Sequence, residues 1–109
     1  MAIVKQKFKS FGEHLRTLRE ETTLPLREVA TQIDIDPSLL AKIERNERQP
    51  TKQLIKQIAA YFNVNEQELL EEFLSDQIAY KIFDEEADLN VLKVAEKKVS
   101  YLKSIRDGR

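Results

Sequence analysis

Helix-start signals recur at short intervals along the chain, and they constrain the fold more than any other feature. Ser10 stands three residues before Glu13, the arrangement of a capping box, in which two side chains satisfy free backbone N–H groups at a helix start. Pro25 suits the first turn of a helix, where its missing N–H is no loss. Asp36 followed by Pro37 joins a strong N-cap to the same proline preference. Thr51 precedes an apolar-periodic run, and Asn65 with Glu68 repeats the first signal. Apolar stripes at helical spacing fill the intervals. Phe11, Leu15 and Leu18 define a helix over about 10–22, which Thr22-Thr23-Leu24-Pro25 breaks. Val29, Ala30 and Ile33 define a second over 25–33. Leu40 and Ile43, with Leu39 partly covered, define a third over 37–45. Leu54, Ile55, Ile58, Ala59 and Phe62 define a fourth over 52–62. Two Gly and three Pro among 109 residues are too few for the tight turns of a β-sandwich, so the expected fold is all-α.

Past Asn65 the composition changes. A helix is predicted to about Phe83, a break at Asp84-Glu85-Glu86, and a last helix over about 87–105. In the latter, Leu92, Ala95, Val99 and Leu102 recur at heptad-like spacing, and Leu89, Val91 and Val94 widen the stripe. The chain is therefore expected to divide into a helical domain over 1–69 and a helical region over 70–109.

Several functions are excluded by what the chain lacks. With no Cys there is no disulfide scaffold, thiolate zinc site or cysteine nucleophile. His14 is the single histidine, which leaves no pair for a metal or a proton relay; it is read as solvated on the polar side of the first helix. No nucleophile–base set or phosphate loop is visible, so neither an enzyme nor a cofactor is expected. The most apolar segment, 54–64, is interrupted by Lys56, Gln57 and Asn63 and does not read as a membrane span. Met1-Ala2-Ile3-Val4-Lys5 is too short an apolar run for a signal peptide. The expected setting is soluble and cytoplasmic.

Helices 25–33 and 37–45, joined by a tight turn, have the dimensions of a helix-turn-helix, in which the first helix braces the second and frees its polar side. That side carries Ser38, Ala41, Lys42 and Arg45; small residues permit close approach to base pairs, and Lys42 can donate to guanine or to phosphate. By pattern alone, two ordinary helices of an all-α core explain this stretch as well. The residues in order discriminate. Phe11-Gly12-Glu13-His14-Leu15-Arg16-Thr17-Leu18-Arg19-Glu20, then Leu24-Pro25-Leu26-Arg27-Glu28-Val29-Ala30, then Leu40-Ala41-Lys42-Ile43-Glu44-Arg45-Asn46-Glu47-Arg48-Gln49-Pro50, then Ile58-Ala59-Ala60-Tyr61-Phe62-Asn63-Val64-Asn65-Glu66-Gln67-Glu68-Leu69 stand at the family's spacing. The chain resembles the XRE family of helix-turn-helix regulators over about half its length. The resemblance implies a five-helix domain like that of lambda repressor and Cro, with a C-terminal helical extension.

It also implies roles. Arg19 and Glu44 match an internal salt bridge tying the first helix to the recognition helix. Pro37, Ser38, Ala41 and Lys42 match base-facing positions; Arg45, Arg48, Thr51 and Lys52 match phosphate contacts. For any one of these the competing reading is a solvated polar surface. Three positions depart from the family's pattern. Leu26 replaces a common Gln whose amide binds phosphate, so that clamp is absent or passes to Arg27. Asn46 replaces a frequent Gly, a change expected to matter little because Asn tolerates the left-handed conformation. Pro37 replaces a polar base reader and can make only apolar contact.

Net charge is −1, which taken alone speaks against nucleic acid. Its distribution says otherwise. Residues 1–52 hold ten Lys/Arg against eight Asp/Glu, and residues 53–109 hold eight against eleven. The segment 66–88 has nine acids and only Lys81 as a base, a surface that repels DNA and suits a protein partner. The stripes Leu70/Phe73/Leu74/Ile78 and Leu92/Ala95/Val99/Leu102 exceed what a five-helix domain needs. They point to homodimerisation through the tail, the competing reading being that the tail folds back on its own domain. Tyr80, Phe83 and Tyr101 are read as core or dimer contacts, and Phe62 as core. The partners expected are a double-stranded DNA operator and a second copy of the chain. The functional readings are a repressor or autoregulator, such as a restriction–modification controller, or alternatively an antitoxin whose tail binds a toxin.

Overall fold

The computed structural model describes residues 10–108; the amino-terminal run read as unlike a signal peptide lies outside them. The described chain is all-α: α1 (Phe11–Thr22), α2 (Leu26–Gln32), α3 (Pro37–Glu44), α4 (Lys52–Phe62), α5 (Glu66–Asp84) and α6 (Asn90–Asp107). Two compact units divide it, one ending at Asp76 and the other beginning at Gln77, within α5.

The local signals place most helix starts. Ser10 Oγ accepts from the Glu13 N–H, Asp36 from Ser38 and Thr51 from Leu54, each relieving an unpaired first-turn donor. Pro25 sits one position outside its expected place: it is the N-cap of α2, in extended backbone, with no side chain to cap. Helix ends use left-handed residues at Thr23 and Asn63, which turn the chain sharply.

The first unit's core is built from the predicted stripes. Phe11, Leu15, Val29, Ala30, Ile33, Leu40, Ile43, Leu54, Ile55, Ile58, Ala59 and Leu69 are buried, and Leu26, Leu39, Phe62, Leu70 and Phe73 pack against them. Part of the apolar stripe of α5 is therefore spent inside this unit: Phe73 meets Phe11 edge-on, with ring centroids 5.7 Å apart. The opening turn of α1 is satisfied from three directions. The Phe11 N–H donates to Asp76 Oδ2 at 2.7 Å, Gly12 to Asn46 Oδ1 at 3.1 Å and Glu13 to Ser10 Oγ at 3.1 Å. A carboxylate at this position also meets the positive end of the helix dipole.

His14 differs from its sequence reading. It is not solvated: its side chain is only 22% exposed, and Nδ1 meets the Glu72 carboxylate. The reason is that the start of α5 lays its acidic side along α1. Burial pushes the Glu72 carboxyl up, more than the hydrogen bond to His14 pulls it down, and the charges of Asp76 and Glu13 push the same way.

In the second unit, Glu86 takes a left-handed conformation (φ 51°) in the turn after α5, with the Ala87 N–H bonded to the Ile82 carbonyl. Asp88 Oδ1 accepts from Asn90 at 2.7 Å, which starts α6 later than the 87 expected. No residue of α6 is buried, and Leu92, Val99 and Leu102 are 43%, 49% and 61% exposed.

Candidate nucleic-acid interface

α2 and α3 meet through a turn that the backbone closes itself. Asp34 is left-handed (φ 60°), and the Ile35 N–H reaches back to the Ala30 carbonyl at 2.9 Å. Leu40 and Ile43 anchor α3 in the core, so the opposite side of the helix is free. On that side Ser38, Lys42 and Arg45 are exposed, and Pro37 and Ala41 are half-buried between them. Arg48, Thr51 and Lys52 are exposed in the following loop and at the start of α4; Arg27 is exposed on α2. Arg48 and Lys52 side chains make no hydrogen bond or ion pair among the described residues. Thr51 uses a lone pair on its own helix cap.

The polar groups of α3 are partly committed already. Asp36 Oδ1 accepts from the Ser38 N–H at 2.7 Å and from the Ser38 hydroxyl at 2.6 Å. Those bonds, the hydroxyl's first, hold the Asp36 carboxyl below the usual carboxylate range, with a further contribution from the charge of Lys42. The Ser38 hydroxyl proton is thereby directed at Asp36, and only lone pairs remain for an outside donor. Arg45 forms a two-pronged ion pair with Glu47, Nε at 2.8 Å and Nη2 at 3.1 Å, which holds the Glu47 carboxyl down. Spacing alone did not single out Glu47, because an i, i+2 pair has no helical meaning and the contact needs the chain to turn at Asn46.

Behind the helix lies its support. Arg19 on α1 grips Glu44 at the end of α3, Nε at 2.7 Å and Nη2 at 3.0 Å, with the carboxylate side chain 6% exposed. The bond to Glu44 holds the guanidinium's pKa above its ordinary value. Asn46 does more than supply a left-handed residue (φ 63°). Its side chain accepts from Gly12 and donates to Ser10 Oγ at 2.9 Å, pinning the loop after α3 to the start of α1. The replacement of glycine by Asn46 thus has a consequence not foreseen from its conformation alone. Leu26 packs against the core.

Two short helices at a tight turn, the second clamped from behind and open in front, define a helix-turn-helix protein. A family model described as helix-turn-helix matches residues 15–69, and the chain belongs to that family, in its XRE type. It is 33% identical over 79 residues, 71% of its length, to the HTH-type transcriptional regulator DdrOP3 of Deinococcus deserti. The chain spans 61% of that relative's length. Among solved structures it is similar to the clp gene regulator ClgR of Corynebacterium glutamicum. That match has a TM-score of 0.52 at 17% identity, covers 91% of this chain and 92% of the other, and shows the fold alone.

Proposed function

We propose that the chain is a sequence-specific regulator of transcription that reads double-stranded DNA with α3. One observation carries this: a recognition helix that exposes Ser38, Lys42 and Arg45 while Arg19–Glu44 fixes it from behind. In this reading Pro37, Ser38, Ala41 and Lys42 face bases, and Arg27, Arg45, Arg48, Thr51 and Lys52 face phosphates. Selection of bound duplexes from a random pool at fixed salt is the test. A single enriched half-site is expected, repeated about 34 Å apart if two subunits bind together. Lys42→Ala is expected to relax that preference by ~1–3 kcal/mol, whereas Arg48→Ala weakens all duplexes alike and flattens the salt dependence. No enrichment, or no effect of either change, rejects the docking face.

The exposed stripe Leu92/Ala95/Val99/Leu102 of α6 supports a homodimer formed by the tail, which would make the chain a cytoplasmic repressor or autoregulator such as a restriction–modification controller. Light scattering on a chain ending near Asp84 should give a monomer, and an undiminished dimer rejects the role of α6. The acid-rich segment 66–88 favours one second reading, an antitoxin. Co-purification of a basic protein encoded beside it would support that reading over an autonomous regulator.

A further inference from the structure

The DNA face is less free than its number of cations suggests, because one of its arginines is already occupied by an anion. Arg45 presents a rigid fork of five donors, and its Nε/Nη2 edge is filled by the Glu47 carboxylate, which also offsets its charge. A phosphate has the same two-oxygen geometry, so it cannot take the Nε/Nη2 edge of Arg45 while Glu47 holds it; it is left the Nη1/Nη2 edge of a guanidinium whose charge is already partly offset. Glu47 is no passing neighbour. Its own N–H is bonded to the Lys42 carbonyl at 2.8 Å, and Asn46, left-handed and tied to Gly12 and Ser10, sets the bend that carries it there. The competitor is therefore placed by the backbone and by the same clamp that places the recognition helix.

We propose that Glu47 acts as a built-in competitor of the phosphate backbone, holding Arg45 and weakening sequence-independent attraction to DNA. This rests on the DNA-binding reading above. Phosphates occur on every duplex, so the penalty applies to any sequence, and it falls on the term that gives non-specific binding its strength and its salt dependence. Base contacts from Ser38, Ala41 and Lys42 are left to decide where the protein stays.

The test uses the full chain and a fluorescent duplex of random sequence, titrated by anisotropy at several salt concentrations from about 50 mM upward. Four proteins are compared: wild type, Glu47→Gln, Arg45→Ala and the double variant. Both side chains are more than half exposed, so the helical circular dichroism and the thermal midpoint should be kept. Glu47→Gln is expected to bind up to about five-fold tighter, the ceiling for an exposed ion pair. Its slope of log K against log salt should steepen by ~0.9 per subunit, one additional phosphate neutralised. In the Arg45→Ala background the same change should bring little gain. Unchanged affinity and slope overturn the proposal. An equal gain in both backgrounds also overturns it, because Glu47 then acts through net charge and not through Arg45. Failure of all four proteins to bind any duplex rejects the DNA reading itself, and this proposal with it.

Discussion

Gly12 lies where the start of α1 meets the end of α3, and its lack of a side chain is a steric requirement. A Cβ there would lie 2.6 Å from both Asn46 Oδ1 and the Glu44 carbonyl and 2.7 Å from the Ile43 carbonyl. Two of those atoms are backbone and cannot swing away, so Gly12→Ala should destabilise the domain by about 1–3 kcal/mol in urea unfolding. Breaking the neighbouring ion pair by Arg19→Ala should cost about 3–5 kcal/mol, because Glu44 is left charged and nearly covered. Thr23 offers a change in the other direction. It is a β-branched residue held at φ 61°, where L side chains are strained, and it is exposed. Thr23→Gly should raise stability by ~0.5–1 kcal/mol net of glycine's greater chain entropy, seen as a thermal midpoint a few degrees higher. Single residues were legible in the sequence where their partners were local, as with Ser10, Asp36 and Thr51. Asn46 was legible as a turn residue but not as a bridge to Gly12, which stands 34 positions away.

At the scale of elements, α1, α3 and α4 were readable because each is opened by a side chain within three residues of the backbone group it satisfies, and α2 because Pro25 marks its start without a capping side chain. What α5 does could not be read this way. Its partners on α1 are 58 and 65 residues distant, and no periodicity marks Glu72 or Asp76 as different from the other acids of 66–88. The consequence for α5 is a pH dependence with a definite sign. The folded-state pKa of Glu72 lies above its unfolded value, so its contribution to stability is present in acid and is lost as pH rises through the folded value. Glu72→Gln, which cannot ionise and can still bond His14, should therefore melt above wild type at pH 8, and the two should converge toward pH 4. Melting curves that differ by the same amount at both ends would contradict the role of burial.

At the scale of the whole molecule, the near-zero net charge hides a slightly basic amino-terminal part and an acidic stretch, and this division was visible in the sequence alone. The limit of the first unit was harder to see, because Leu69 is the last fully buried residue while Phe73 and Asp76 still hold α1. A fragment ending at Leu69 should consequently melt well below one ending just after Asp76, as thermal scans of the two would show. That arrangement also bears on how the domain is made. A ribosome delivers residues in order, and domains fold as units as they emerge. The first turn of α1 is synthesised early, yet its Phe11 N–H finds its acceptor only when Asp76 appears, 65 residues later. Until then the recognition helix can form, but the helix that clamps it lacks one of its own caps. A nascent chain stalled before Asp76 should therefore present a looser, more protease-sensitive domain than one released a few residues beyond it.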